Sequence, residues 1–221
     1  MKSFHNDPAI KSKYIARIKK HMKTNTIIQK YGYINGIGGA IGCTLENYDM
    51  SRYPIELGIP EWVSHLEDII FEKISEKESK TFPLEFLESI PVGIEEKEFE
   101  KLSHTLSIQR LEILLFEQKK FFLNDKFGIN NYIQQTILYH KNPNLYTKPS
   151  TEIKESTKAI DSRLCALEAA IDSGKSHPWS ARYACDSYCW HYELSRSESV
   201  KSYWRKEKNR LLSGLTQLSN D

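Results

Sequence analysis

Residues 31–45, YGYINGIGGAIGCTL, place Gly36, Gly38, Gly39 and Gly42 within seven positions, four of the chain's ten glycines. Glycine in a helix interior costs about 1 kcal/mol relative to alanine, so a chain whose pattern is otherwise helical must break here. Asn35-Gly36 has the composition of a two-residue hairpin turn, and Tyr31, Tyr33, Ile34, Ile41 and Thr44 suit short strands. The glycine run predicts one small hairpin.

Helical signals surround it. Asp7 followed by Pro8 is an N-cap with proline at the first helical position. Ile10, Tyr14, Ile15, Ile18 and Met22 then recur at helical spacing, with lysines and Arg17 on the other faces. Residues 46–59 read as an irregular connection carrying Pro54 and Gly58. Pro60 starts an amphipathic helix to about Lys77, with Trp62, Leu66 and Ile69 on one side and Glu61, His65, Asp68 and Glu72 on the other. A short helix follows Phe82-Pro83, and a long one runs from about Glu95 to Phe122. Another lies near 129–140, and three more near 151–172, 178–195 and 197–213. Asn142-Pro143-Asn144 and Lys148-Pro149-Ser150 mark a linker. The expected architecture is mainly α, a bundle-like helical array with one β-hairpin near residues 31–45. A helical domain over 1–145 carries the hairpin, and a C-terminal three-helix segment over 150–221 packs on it.

Composition narrows the class. The chain has 221 residues, 39% of them hydrophobic, with only 18 prolines and glycines together, which excludes collagen-like and low-complexity classes. No apolar run approaches the roughly 18 residues a membrane helix needs. The first twenty residues lack a continuous apolar core, so no cleaved secretory signal is expected and a cytoplasmic location is, delivery by another route being left open. Cys43, Cys165, Cys185 and Cys189 lack paired zinc-knuckle spacing and read as free thiols. Residues 1–30 hold eight Lys/Arg against Asp7 alone, whereas 61–100 hold twelve Asp/Glu against four lysines. That asymmetry points to a basic first helix packing against the acidic region of the same chain.

Three constellations could carry chemistry. Cys43, beside backbone able to form an anion-binding nest, is a candidate nucleophile if His21 or His5 serves as its base; otherwise it is a small buried hydrophobe. Glu61, His65, Asp68 and Glu72 lie within about 60° of arc on one helix face and are divalent-metal ligand types, though a solvated stripe looks the same. Trp179, Tyr183, Trp190, Tyr203, Trp204 and Arg205 concentrate aromatic and basic character near the C-terminus, the composition of a protein-binding surface or of helix–helix seams. Net charge of +2 argues against nucleic acid. Gly174-Lys175-Ser176 is no phosphate loop, because Ala169 stands where the leading glycine is needed and the preceding segment is helical. No cofactor is expected.

Residues 4–21, 31–45, 51–74 and 82–93, and more faintly 205–215, resemble an uncharacterised bacterial protein family. The motifs that carry the likeness are the glycine loop and the stretch Glu56-Leu57-Gly58-Ile59-Pro60 with Leu66-Glu67-Asp68 and Phe71-Glu72. The resemblance implies a grouping and no activity. In that family a second cysteine commonly stands at the position of Gly39, and histidines at Glu46 and Met50. Of such a metal or redox cluster, Cys43 alone remains here.

The first functional expectation is a non-enzymatic helical protein that binds a protein partner through its aromatic C-terminal helices. An enzyme with Cys43 at its centre is the alternative, and a divalent-metal protein the second.

Overall fold

The computed structural model describes residues 1–121, 129–147 and 200–220, without the side chains of 117–121. Among these the chain is mainly α-helical, with one two-stranded antiparallel hairpin. The described residues fall into two compact units, Met1–Leu102 with Trp204–Asp221, and Ser103–Tyr203. The last helix returns to the first.

In the first unit, α1 (Pro8–Lys23) begins as its sequence dictates: the Asp7 carboxylate accepts the Ala9 N–H at 2.8 Å, and Pro8 occupies the first turn. Tyr14, Ile18 and His21 form its buried stripe. Before it, Phe4, His5 and Asn6 all have positive φ, a left-handed turn costing about 1–2 kcal/mol per residue. Ser3 holds it in place. Its N–H and hydroxyl donate to the carbonyls of Ile94 (2.8 Å) and Pro91 (2.6 Å), and its carbonyl accepts from Gly93 N–H (2.9 Å).

The hairpin joins β1 (Tyr33–Ile34) to β2 (Ile37–Gly38), with Tyr33 opposite Gly38 and Ile34 opposite Ile37. Asn35 (φ 53°) and Gly36 (φ 80°) are both left-handed, the conformation that makes Asn-Gly the preferred tight turn. The second half of the glycine run departs from the strand expectation. Residues Ala40–Leu45 form α2, all six of them buried, so Ile41 and Thr44 are helical. Burial against the hairpin overrides β propensity here. A Cβ on Gly42 would stand 2.0 Å from the Gly32 carbonyl oxygen, so α2 lies on the hairpin backbone to backbone.

The connection read as irregular contains α3 (Arg52–Leu57). It leads to α4 (Glu61–Lys73), whose residues 63–71 are buried without interruption. Helix α4 is thus the central element of the unit, not a surface helix with one solvated face. It ends earlier than expected, at Lys73. Gln29 donates to the carbonyls of Phe71 (2.6 Å) and Ile74 (3.0 Å), and Ser75 caps the following turn, α5 (Glu76–Ser79). Helix α6 (Phe82–Ser89) packs on α1. Lys19 pairs with Glu88 at 3.5 Å and Lys11 donates to the Glu88 carbonyl at 3.0 Å, which is the expected match of basic and acidic elements.

Helix α7 (Glu96–Phe121) begins in the first unit, and beyond Leu102 it is counted in the second, with α8 (Ile129–Lys141). Leu106, Leu111, Leu114, Ile133 and Ile137 supply that unit's described apolar core. Helix α9 (Val200–Thr216) buries Trp204, Leu211 and Leu215, and Gly214 packs against the Leu102 side chain.

Candidate functional site

The base of the glycine hairpin is where the sequence concentrates its candidate reagents. Cys43 sits in α2 with no exposed surface. Its thiol donates to the Gly38 carbonyl at 3.2 Å, with the Thr26 carbonyl at 3.6 Å. Burial pushes the thiol up to about 12, so near neutral pH the sulfur stays protonated. His21, on α1, meets the same threonine: its Nδ1 lies 2.7 Å from the Thr26 hydroxyl. That hydroxyl also lies 3.3 Å from the His21 carbonyl, and the His21 Nε2 is buried. Burial lowers the pKa of His21 and keeps the ring neutral. Tyr33 meets the imidazole edge-on, with centroids 6.2 Å apart. His5 is tied elsewhere, its Nε2 3.0 Å from the Ile55 carbonyl of α3. Thr26 therefore links Cys43 and His21, and no described hydrogen bond joins the thiol to either imidazole.

On α4 the four candidate metal ligands share a face, but each is drawn to a different partner. His65 Nε2 is 3.3 Å from Glu61 Oε1. The Tyr48 hydroxyl stands 3.3 Å from both oxygens of Asp68. The Glu72 carboxylate accepts the Lys30 N–H at 2.8 and 3.0 Å, which holds the start of the hairpin segment to the end of α4. Among the described residues, no three His, Cys, Asp or Glu side chains are grouped to hold a metal ion. Nor is the stripe solvated: His65 and Asp68 are buried.

The most perturbed described acid, Glu67, enters the sequence reading only through the resemblance, with no role of its own. Glu67 is fully buried on α4 and accepts the Tyr53 hydroxyl at 2.6 Å. Burial pushes its carboxyl up to about 8; the hydrogen bond from Tyr53 opposes the shift and the neighbouring Asp68 charge adds to it. The available signal was Glu67 itself, flanked by Leu66, Ile69 and Ile70 in a helix apolar on more than one face. A second polar group joins α1 to α3, where Tyr14 donates to Glu56 at 2.5 Å, Arg52 pairs with Glu56, and Arg17 stacks over the Tyr14 ring.

At the C-terminal end, Trp179, Tyr183 and Trp190 lie outside the described residues. Tyr203 and Trp204 are buried and act as core. Arg205 reaches solvent and pairs with Glu78 at 3.0 Å, and Lys208 pairs with Glu85 at 3.3 Å. These cations secure α9 to the acidic α5 and α6. Exposed large apolar side chains in the first unit stand on the hairpin segment and the loop packed on it, and also at Met1, Ile28 and Ile55. Ile34 is 63% exposed, Tyr31 and Tyr48 are each 48% exposed, and Tyr48 lies against Gly32.

The first unit is thus a helical scaffold with a buried acid at its centre and an aromatic hairpin at its surface. Compared with family models, curated proteins and solved structures, the chain matches none. No helix among the described residues is long and apolar enough to cross a membrane.

Proposed function

We propose that this chain is a protein-binding module, with the glycine hairpin as one anchor surface and the aromatic segment around Trp179, Tyr183 and Trp190 as a second. One observation carries the reading. Tyr31 and Ile34 are held out to solvent by a hairpin fixed through Glu72 on one side and α2 on the other, and exposed Tyr48 of the following loop packs on its Gly32. Rigid, exposed aromatic and aliphatic groups supply contact area at low entropic cost, the property of interface anchors. The hydroxyl of Tyr48, directed to Asp68, fixes that ring further.

Replacing Tyr31 and Ile34 together by serine is expected to lower recovery of a specific partner about tenfold or more in quantitative affinity capture, with the melting temperature little changed. Capture unaltered by that pair, and by serine at Trp179 and Trp190, would remove the proposal.

The enzymatic alternative is tested on the thiol. With its proton held by burial, Cys43 is expected to react with iodoacetamide at pH 7.5 at least about a hundredfold more slowly than an exposed cysteine. Fast labelling confined to Cys43 would revive a nucleophilic role with His21 as base.

A further inference from the structure

In the second unit, His104 of α7 and His140 of α8 point their Nδ1 atoms at each other across 2.8 Å. Their ring centroids are 5.1 Å apart, and Tyr139 packs against both rings, at 6.1 Å from His104 and 5.2 Å from His140. His140 is buried. Beside it, Lys141 pairs with Glu112 of α7 at 2.9 Å and ties the two helices together at this level. The rings are therefore set by the helices that carry them, not by flexible stems.

We propose that His104 and His140 form a binding site for a divalent transition-metal ion of the zinc class, lying between α7 and α8. One Nδ1 donates its proton to the other across this bond; when the donor ring carries that proton on Nε2 instead, both Nδ1 lone pairs are available to one cation. Nitrogens bound at about 2.0–2.1 Å to a tetrahedral ion stand roughly 3.3 Å apart, so the pair must open by about half an ångström and the rings must turn to aim both lone pairs at the ion. Imidazole selects zinc, cobalt, nickel or copper over magnesium or calcium, which prefer oxygen. Two protein ligands leave open positions for water or an added ligand, so affinity falls below that of a closed four-ligand site. Two neutral imidazoles bind the ion through Nδ1 with the N–H of each ring on Nε2, so no net proton is released, and the metal adds a cross-link between α7 and α8. This proposal uses none of the residues of the α4 face or of the hairpin, and stands or falls independently of the proposed interface.

The test uses the untagged full chain, stripped with chelator and titrated calorimetrically with Zn²⁺, with Co²⁺ visible absorption as a second readout. One ion per chain is expected, with a tetrahedral or five-coordinate cobalt spectrum. His104→Ala and His140→Ala should each weaken binding at least about tenfold, while Glu61→Gln with Glu72→Gln on α4 should leave it unchanged. His104 is the less buried partner, so His104→Ala carries the result if His140→Ala fails to fold by circular dichroism. Absence of stoichiometric binding, binding indifferent to both histidine variants, or loss in the α4 variant would each overturn the assignment.

Discussion

Gly42→Ala is expected to destabilise the protein by about 3 kcal/mol or more, although alanine is the better helix former by about 1 kcal/mol. The added methyl group would sit 2.0 Å from the Gly32 carbonyl oxygen and 3.1 Å from the Tyr33 Cβ. The nearest obstacle is backbone, and it is not free to move. Gly38 and Gly32 belong to the same hairpin, and the Gly39 N–H donates to the Tyr31 carbonyl at 2.7 Å, which fixes the spacing between strand and helix. Relief would require α2 to lift off the hairpin, exposing Ile41 and Cys43, both fully buried. For a chain of this size such a loss lowers the melting temperature by roughly 6–12 °C. Gly36→Ala is the internal comparison. Nothing lies within 4 Å of its Cβ position, but φ is +80°, so only the conformational cost of about 1 kcal/mol applies. Urea midpoints of the two variants measure the contrast. If Gly42→Ala proved no worse than Gly36→Ala, the backbone-to-backbone packing of α2 on the hairpin would be untenable.

How far the sequence foretold this arrangement depends on which interaction decides each element. Where local chemistry decides, it was legible. Asp7-Pro8 caps α1, Asn35-Gly36 makes the turn, and the charge excess of residues 1–30 meets Glu88 as expected. Where tertiary packing decides, it was not. Ile41 and Thr44 read as strand because β-branched residues favour strands, yet burial on the hairpin makes them helical. Asp68 and His65 read as a solvated stripe because polar residues at helical spacing usually face water. Tyr48 reaches Asp68 from the segment before α3, and Glu61, one turn earlier on α4 itself, lies against His65 under cover. Trp204 and Tyr203 read as anchors for a partner, but nothing local separates an aromatic residue that fills a core from one that meets another protein. The return of α9 to the first unit rests on Arg205 and Lys208 meeting Glu78 and Glu85, pairs more than a hundred residues apart, and no period or turn signal reports them. The same holds for His104 and His140, whose convergence exists only once two helices are packed.

Glu67 should contribute a loss of stability as pH rises from about 5 to 8, against the opposing contribution of His21, whose lowered pKa favours the folded state as pH rises. In the unfolded chain the Glu67 carboxyl titrates near the ordinary 4.5; in the folded protein burial holds it near 8. Between those values the folded state keeps a proton that the unfolded state has released. The folded form therefore binds more protons, and the unfolding free energy declines with pH. The slope from this one group is at most about 1.4 kcal/mol per pH unit. Below the unfolded value its contribution is fully present; above pH 8 it is gone, and the carboxylate is charged inside the core. Glu67→Gln separates this effect from every other titration. The amide oxygen still accepts from the Tyr53 hydroxyl, but the side chain no longer ionises. Urea midpoints at half-unit steps should show the variant close to wild type at pH 5 and progressively more stable than it toward pH 8. Tyr53→Phe should act in the opposite sense. It removes the hydrogen bond that favours the carboxylate, raises the acid further and steepens the decline. A wild-type-minus-glutamine difference that stays flat from pH 5 to 8 would mean that Glu67 is ionised throughout, and the neutral acid at the centre of α4 would have to be given up.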